Sequence, residues 1–303
     1  MQIYLPIAEI SVPAETIFLL GAIVGFLSGV FGVGGGFLPT QFLIFMGIPP
    51  AVAVGTQANQ LVASGMSGTI GHFKRGNVDV KIGGMMLCGG VFGSFVGIMI
   101  FRLLEYLGQI DFAVSMLYVI LLSSICLMML SDSIFSSFKK KTVKSDFNAL
   151  RVNPFIARLP YKMRFPRSKL YISALVPICI GFVGGILASI LGIGGGFLLV
   201  PAMIYILGMP TILAVGTSLF QIIFTTAAAT MMHATINHTV DIMLGLILIV
   251  GGVIGSQFGI NFARVIKPNH ARTILAILIL AVSARLAYEL LVEPFDLYST
   301  VVM

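Results

Sequence analysis

The stretch GVGGGFL at residues 32–38 returns as GIGGGFL at 192–198. Working outward, and after one inserted residue, GIPPAVAVGTQANQ at 47–60 matches GMPTILAVGTSLFQ at 208–221. His72 then matches His233, and Val78 and Asp79 match Val240 and Asp241. GGVFGSFVGI at 89–98 matches GGVIGSQFGI at 251–260, and Arg102 matches Arg264. Self-similarity held in register over this distance marks a duplication, which must be read before any single element.

Composition sets the solvent. Of 303 residues 58% are hydrophobic and 10% charged, whereas a soluble domain carries about a quarter charged. Such a chain cannot cover itself with polar side chains, which argues against a soluble enzyme or a DNA-binding domain and for a polytopic membrane protein in a lipid bilayer. The net charge of +7 belongs to one loop, because ten of the eighteen Lys and Arg lie between Lys139 and Lys169. In a membrane protein that loop reads as cytoplasmic, not as a nucleic-acid patch. Cys88, Cys126 and Cys179 have no paired spacing and read as packing residues, not metal ligands. No Lys or Arg precedes the first apolar run, so the amino terminus lacks a signal peptide's charged region.

Each half holds five apolar segments. They run near 15–32, 36–47, 51–71, 82–101 and 112–131, then 171–191, 196–208, 212–233, 242–262 and 273–292. The second segment of each half is too short to span alone. With its predecessor it forms a hairpin broken at the Gly-rich stretch. Equivalent loops carry opposite charge: 73–81 is net positive and 102–111 net negative, whereas 234–241 carries only Asp241 and 263–272 is positive. The expected fold is all-α, with two inverted-topology repeats at 1–131 and 171–303 joined by a basic cytoplasmic linker at 132–170. Both termini then lie outside.

The candidate site follows from the duplicated polar positions. Gly34, Gly35 and Gly36, with Gly194, Gly195 and Gly196, interrupt a helix and start another. That exposes free N–H groups at the positive end of a dipole, a ready anion site. Thr56 and Gln60 share one helix face, as do Thr217 and Gln221. Counting from Pro50 and Pro210, both glutamines lie ~15–17 Å along, near the middle of a ~30 Å hydrocarbon core. Gln57, Asn59 and Ser218 extend the polar patch. His72 and His233 fall ~33 Å along, at opposite faces, as interfacial caps or the two mouths of a pathway. Arg285 and Glu289, four residues apart, read as a local pair. No nucleophile, metal cluster or acid–base pair stands at depth, so an enzyme is not expected and no cofactor is implied.

The repeated GxGGG stretch, the AVGT segment that follows it and the basic central loop resemble the TauE/SafE sulfite exporter family over nearly the whole chain outside the loop and termini. The resemblance implies a transporter of small anions (sulfite, organosulfonates or related carboxylates) in a bacterial inner membrane. The same residues would also serve a passive anion channel. Gly34–Gly36, Thr56, Gly194–Gly196 and Thr217 fall on the family's motifs, and GTSLFQ against GTQANQ lets the two halves contribute unequally.

Overall fold

In the computed structural model of the protein, residues 2–31, 36–138, 160–262, 277 and 279–288 are described. The first half opens with an antiparallel hairpin, β1 (Gln2–Leu5) and β2 (Ile10–Pro13), and continues through α1 (Ala14–Phe31), α2 (Phe37–Phe45), α3 (Pro50–Lys74), α4 (Val80–Tyr106) and α5 (Ile110–Phe138). The second half repeats this succession: β3 (Lys162–Phe165), β4 (Leu170–Ser173), α6 (Leu175–Leu191), α7 (Gly196–Tyr205), α8 (Thr211–Met232) and α9 (Ile242–Phe262). A further apolar helix, α10, covers Ile279–Tyr288. The fold is mostly helical.

The hairpins correct the all-α expectation. Each turn opens on a proline, Pro6 or Pro166, and closes on a left-handed residue, Glu9 at φ 55° or Lys169 at φ 52°. Leu5 and Val12 of the first hairpin, and Phe165, Leu170 and Ile172 of the second, are buried in apolar clusters beside the helices. Residues 162–170, which the sequence groups with the basic linker, thus form part of the second half's opening hairpin.

Burial is arranged for lipid. Large apolar side chains such as Phe18, Ile23, Phe92, Met99, Met243 and Phe258 are exposed, whereas Gln57, Gln60, Thr217, Ser218 and Gln221 are buried. A soluble protein does not present so much apolar surface. Val80–Tyr106, Thr211–Asn237 and Ile242–Phe262 are long and apolar enough to cross a membrane. Helix α3 is 25 residues long but carries Thr56, Gln57, Asn59, Gln60 and Ser64, which lowers its hydropathy without shortening it. Cys88 and Cys179 lie on the exposed surface and only Cys126 is buried, so two of the three do not pack the interior.

The closest helix pairs cross between the halves: α1 lies on α9, and its counterpart α6 lies on α4. Glycines make both approaches. A β-carbon placed on Gly25 would overlap the Gly252 carbonyl, and one on Gly255 would overlap that of Ala22. On the other pair, Gly185 meets the Gly90 carbonyl and Gly89 that of Ile178 in the same way. Membrane helices that lack a hydrophobic drive to associate gain dispersion contacts this way. Helices α3 and α8 form the central pair and run antiparallel, since Gly65 faces Ile223 while Gly68 faces Leu219.

One residue distinguishes the halves where α8 ends. The sequence register shifts by one between His233 and Val240, and the chain takes up the extra residue as a single π-helical turn, His233–Asn237, before a left-handed His238 at φ 54°. Inserted residues are commonly absorbed in this form.

Gly255→Leu and Gly185→Leu are expected to abolish the monodisperse peak on size-exclusion chromatography in detergent. Gly84→Ala, where a β-carbon meets open space, is expected to leave it unchanged.

Candidate functional site

Gly36, at the start of α2, meets the second Gly-rich break. A β-carbon on Gly36 would lie 2.7 Å from the Ile193 carbonyl oxygen and 2.7 Å from Leu61 of α3. One on Gly194 would lie 2.8 Å from the same leucine and 2.9 Å from Thr226 of α8. The second break is built from left-handed residues, with Gly192, Gly194 and Gly195 at φ 69°, 72° and 70°. Only glycine adopts this backbone freely. Gly196 then begins α7, and Gly36 precedes α2, neither with a side-chain cap. Gly34 and Gly35 lie outside the described residues.

Three buried amides lie on the central helices α3 and α8. Gln60 donates to the Gly21 carbonyl at 3.3 Å and packs against Gly252, while its Oε1 has no partner. Gln221 occupies the equivalent place against Gly90, and neither of its amide atoms is bonded. Gln57 is fully buried with both amide atoms unpartnered. It shares a face of α3 with Val54 and Leu61, which touch Gly192 and Gly194. Buried amides without partners are costly, about 1–3 kcal/mol for each unmet group, and such groups in a native protein call for an explanation such as a ligand. Asn59 is half-buried near Gly245. Ser218, the counterpart of Gln57, turns its hydroxyl back to the Val215 carbonyl at 2.8 Å.

Thr56 and Thr217 make a pair of crossed contacts between the halves that the sequence left unassigned. The Asp241 backbone N–H donates to the Thr56 hydroxyl at 2.9 Å, and the Asp79 N–H donates to that of Thr217 at 3.0 Å. Each aspartate caps its own helix: Asp79 Oδ1 accepts from Lys81 and Ile82, Asp241 Oδ1 from Met243 and Leu244. The second carboxylate oxygen of each reaches the opposite half's hairpin. Asp79 Oδ2 accepts from the Ser168 hydroxyl at 2.6 Å and its N–H at 3.1 Å, and Asp241 Oδ2 from the Ile7 N–H at 3.2 Å. Both aspartates are buried, at 2% and 0% exposure, so they are not the loop charges that residue counting suggests. The matched Val-Asp pair before an apolar run was the available signal, since Asp is a preferred N-cap.

His233 is not an interfacial cap. Its Nε2 lies 2.9 Å from the Ser189 carbonyl and its Nδ1 3.1 Å from the Asn237 amide nitrogen, and Phe101 meets the ring edge-on. These partners suit a neutral ring with its proton on Nε2. His72 is half-buried at the end of α3, its Nδ1 unpartnered. Arg285 stacks on Phe45 with its guanidinium 4.6 Å from the ring centre. Glu289 lies outside the described residues.

An apolar exterior around broken helices and buried amides defines a polytopic membrane protein with a polar centre. The chain belongs to the TauE/SafE sulfite exporter family, whose model matches residues 17–286. It is similar to the probable membrane transporter protein YunE of Bacillus subtilis (strain 168), at 29% identity over 279 residues, covering 89% of this chain and 96% of the relative. A probable membrane transporter protein of Xylella fastidiosa (strain 9a5c) is 29% identical over 241 residues, 79% and 80% of the two chains. The probable membrane transporter protein MJ0441 of Methanocaldococcus jannaschii is 25% identical over 278 residues, 86% and 90% of the two chains. No solved structure matches.

Thr217→Val keeps the volume but removes the acceptor for the Asp79 N–H, and is expected to cost about 1–3 kcal/mol in denaturation from mixed micelles. Asp79→Ala and Ser168→Ala both remove the bond from the Ser168 hydroxyl to Asp79, so their combined loss should differ from the sum by about 0.5–3 kcal/mol.

Proposed function

We propose that this protein is a carrier that exports small sulfur-containing anions, sulfite or organosulfonates, across a bacterial inner membrane by alternating access. The carrying observation is the contact of Gly36 with Ile193 of the second Gly-rich break, next to the α3 face that carries the buried, unpartnered amide of Gln57. The anion's water is replaced there by N–H groups at the starts of α2 and α7 and by the neutral side chains. Gly34, Gly35, Gly36, Gly194, Gly195, Gly196, Asn59 and Ser218 complete the binding region, with Thr56 and Thr217 holding its edges.

Inverted topology is part of this reading. It is supported by the antiparallel course of the equivalent helices α3 and α8 and by the charges of the hairpins. The first hairpin region carries Glu9 and Glu15, the second Lys162, Arg164, Arg167 and Lys169. The positive-inside rule then puts the second hairpin and the 132–170 linker in the cytoplasm, with the termini outside. His72, half-buried at the end of α3, stands toward one mouth. Transport proceeds as one half rocks against the other around the junction. An inside-negative potential favours anion exit by about 2.3 kcal/mol per charge per 100 mV, so export could run without a coupled ion.

Counterflow in proteoliposomes tests the reading. Labelled sulfonate is expected to accumulate transiently in vesicles preloaded with unlabelled sulfonate, and not in vesicles preloaded with a cation salt alone. Leak without accumulation contradicts a carrier and indicates a channel. The Gln60→Leu, Gln221→Leu double variant is expected to insert normally and lose the flux at least tenfold. Unchanged flux removes both residues from the site.

A further inference from the structure

We infer that the outward face of the second hairpin, with the α3–α4 connection beside it, binds the headgroup of an anionic phospholipid such as phosphatidylglycerol. Strand pairing defines that face, because residues opposite one another across an antiparallel pair lie on the same side of it. Phe165 stands opposite Leu170 and Met163 opposite Ile172. Of these, Phe165, Leu170 and Ile172 are buried in the apolar cluster that holds Ile82 of α4 and Met203 of α7. The other side carries Lys162 and Arg164, with Tyr171 opposite Arg164. All three are exposed, and the Arg164 guanidinium lies 6.0 Å from the centre of the Tyr171 ring. Amphipathic aromatic rings among cations suit the headgroup level of a bilayer.

The turn of the hairpin brings a second basic stretch onto the same surface. The Ser168 hydroxyl and N–H donate to Asp79 Oδ2 at 2.6 and 3.1 Å, which seats the turn on the connection between α3 and α4. Arg167 lies across that connection, with a guanidinium nitrogen 3.0 Å from where a β-carbon on Gly76 would stand. Lys74, Arg75 and Lys81 are exposed beside it. Residues 74–81 and 162–169 together hold seven Lys and Arg against one acid, Asp79, and Asp79 is 2% exposed. Clustered cations at a membrane surface draw anionic headgroups, and each added Lys or Arg strengthens the attraction.

Duplication supplies an internal comparison. The first hairpin repeats the backbone and is seated in the same way, through the Ile7 N–H on Asp241 Oδ2. Its outward face carries Gln2 and Tyr4 where the second has Lys162 and Arg164, and its turn carries Ile7 and Glu9 where the second has Arg167 and Lys169. The connection beneath it, residues 233–241, has no Lys or Arg. Folding and seating of such a hairpin therefore do not call for the cations. Orientation in the membrane does not call for them either, because the linker at 139–158 already supplies six Lys and Arg. What the four hairpin cations add is one concentrated face at the headgroup level, in the cytoplasmic leaflet of the proposed orientation.

Native mass spectrometry of the full-length protein in detergent, incubated with equal amounts of phosphatidylglycerol and phosphatidylcholine bearing the same chains, tests this. The unmodified protein is expected to retain phosphatidylglycerol about fivefold or more over phosphatidylcholine. Combining Lys74→Gln, Lys162→Gln and Arg164→Gln should bring that ratio to within twofold with unaltered chromatographic elution, whereas Lys74→Arg with Lys162→Arg should preserve it. Lys139→Gln, Lys140→Gln and Lys141→Gln together, which remove as much charge from the linker, should also preserve it. Equal retention of the two lipids by the unmodified protein overturns the inference and depends on no variant. A preference that survives the first triple variant, or disappears with the linker lysines, overturns its placement on the hairpin face. Displacement of the lipid by excess inorganic phosphate overturns a headgroup surface in favour of a site for the free anion. No transported anion enters the measurement, so its outcome is separate from that of the carrier reading.

Discussion

Backbone-to-backbone contact between α1 and α9, and between α6 and α4, is the constraint from which the rest of the structure follows. At Gly25 and Gly255, and again at Gly185 and Gly89, a single added carbon would overlap a carbonyl of the facing helix. Each half thus places its first helix against the other half's fourth. Neither half closes a helical layer by itself. The crossed hydrogen bonds have the same logic, with Thr56 holding Asp241, Thr217 holding Asp79, and each aspartate engaging the opposite hairpin. In a bilayer, where association rests on close packing and polar contacts between helices, these are the two available forces used at once.

This interlocking makes the broken helices tolerable. Free N–H and C=O groups cannot face lipid, but they can stand where protein surrounds them. Gly36 and the second break lie against each other and under Leu61, Ile222 and Thr226, inside the frame that the glycine contacts set. The polar interior and the unpartnered amides are in turn the reverse of what stability alone would select. That inversion ties the packing to the proposed transport of an anion that must be held weakly and released.

Much of this was legible in the residues, and the exceptions have physical reasons. The duplicated GxGGG and AVGT stretches located the breaks and the central helices, because three glycines in a row have no better use in an apolar run. Four-residue strands carry too little pattern to register, and β3 begins inside a basic stretch that reads as a linker. Asp79 and Asp241 were visible as a matched pair but counted as loop charges, since sequence does not reveal that a hairpin folds over them. Depth arithmetic placed His233 at a membrane face, yet burial is set by its neighbours Phe101, Ser189 and Asn237 and not by distance along a helix. The difference between Gln57 and Ser218 was legible.

Alternating access as proposed requires two halves of one sequence pattern to face opposite sides of the membrane, and labelling from each side tests that most directly. In a background with Cys88, Cys126 and Cys179 replaced, Arg75→Cys and His238→Cys place one thiol after α3 and one after the equivalent α8. A membrane-impermeant maleimide is predicted to label Arg75→Cys only in inside-out vesicles and His238→Cys only in right-side-out vesicles. Labelling of both from the same side would contradict the inverted arrangement and the alternating-access mechanism built on it.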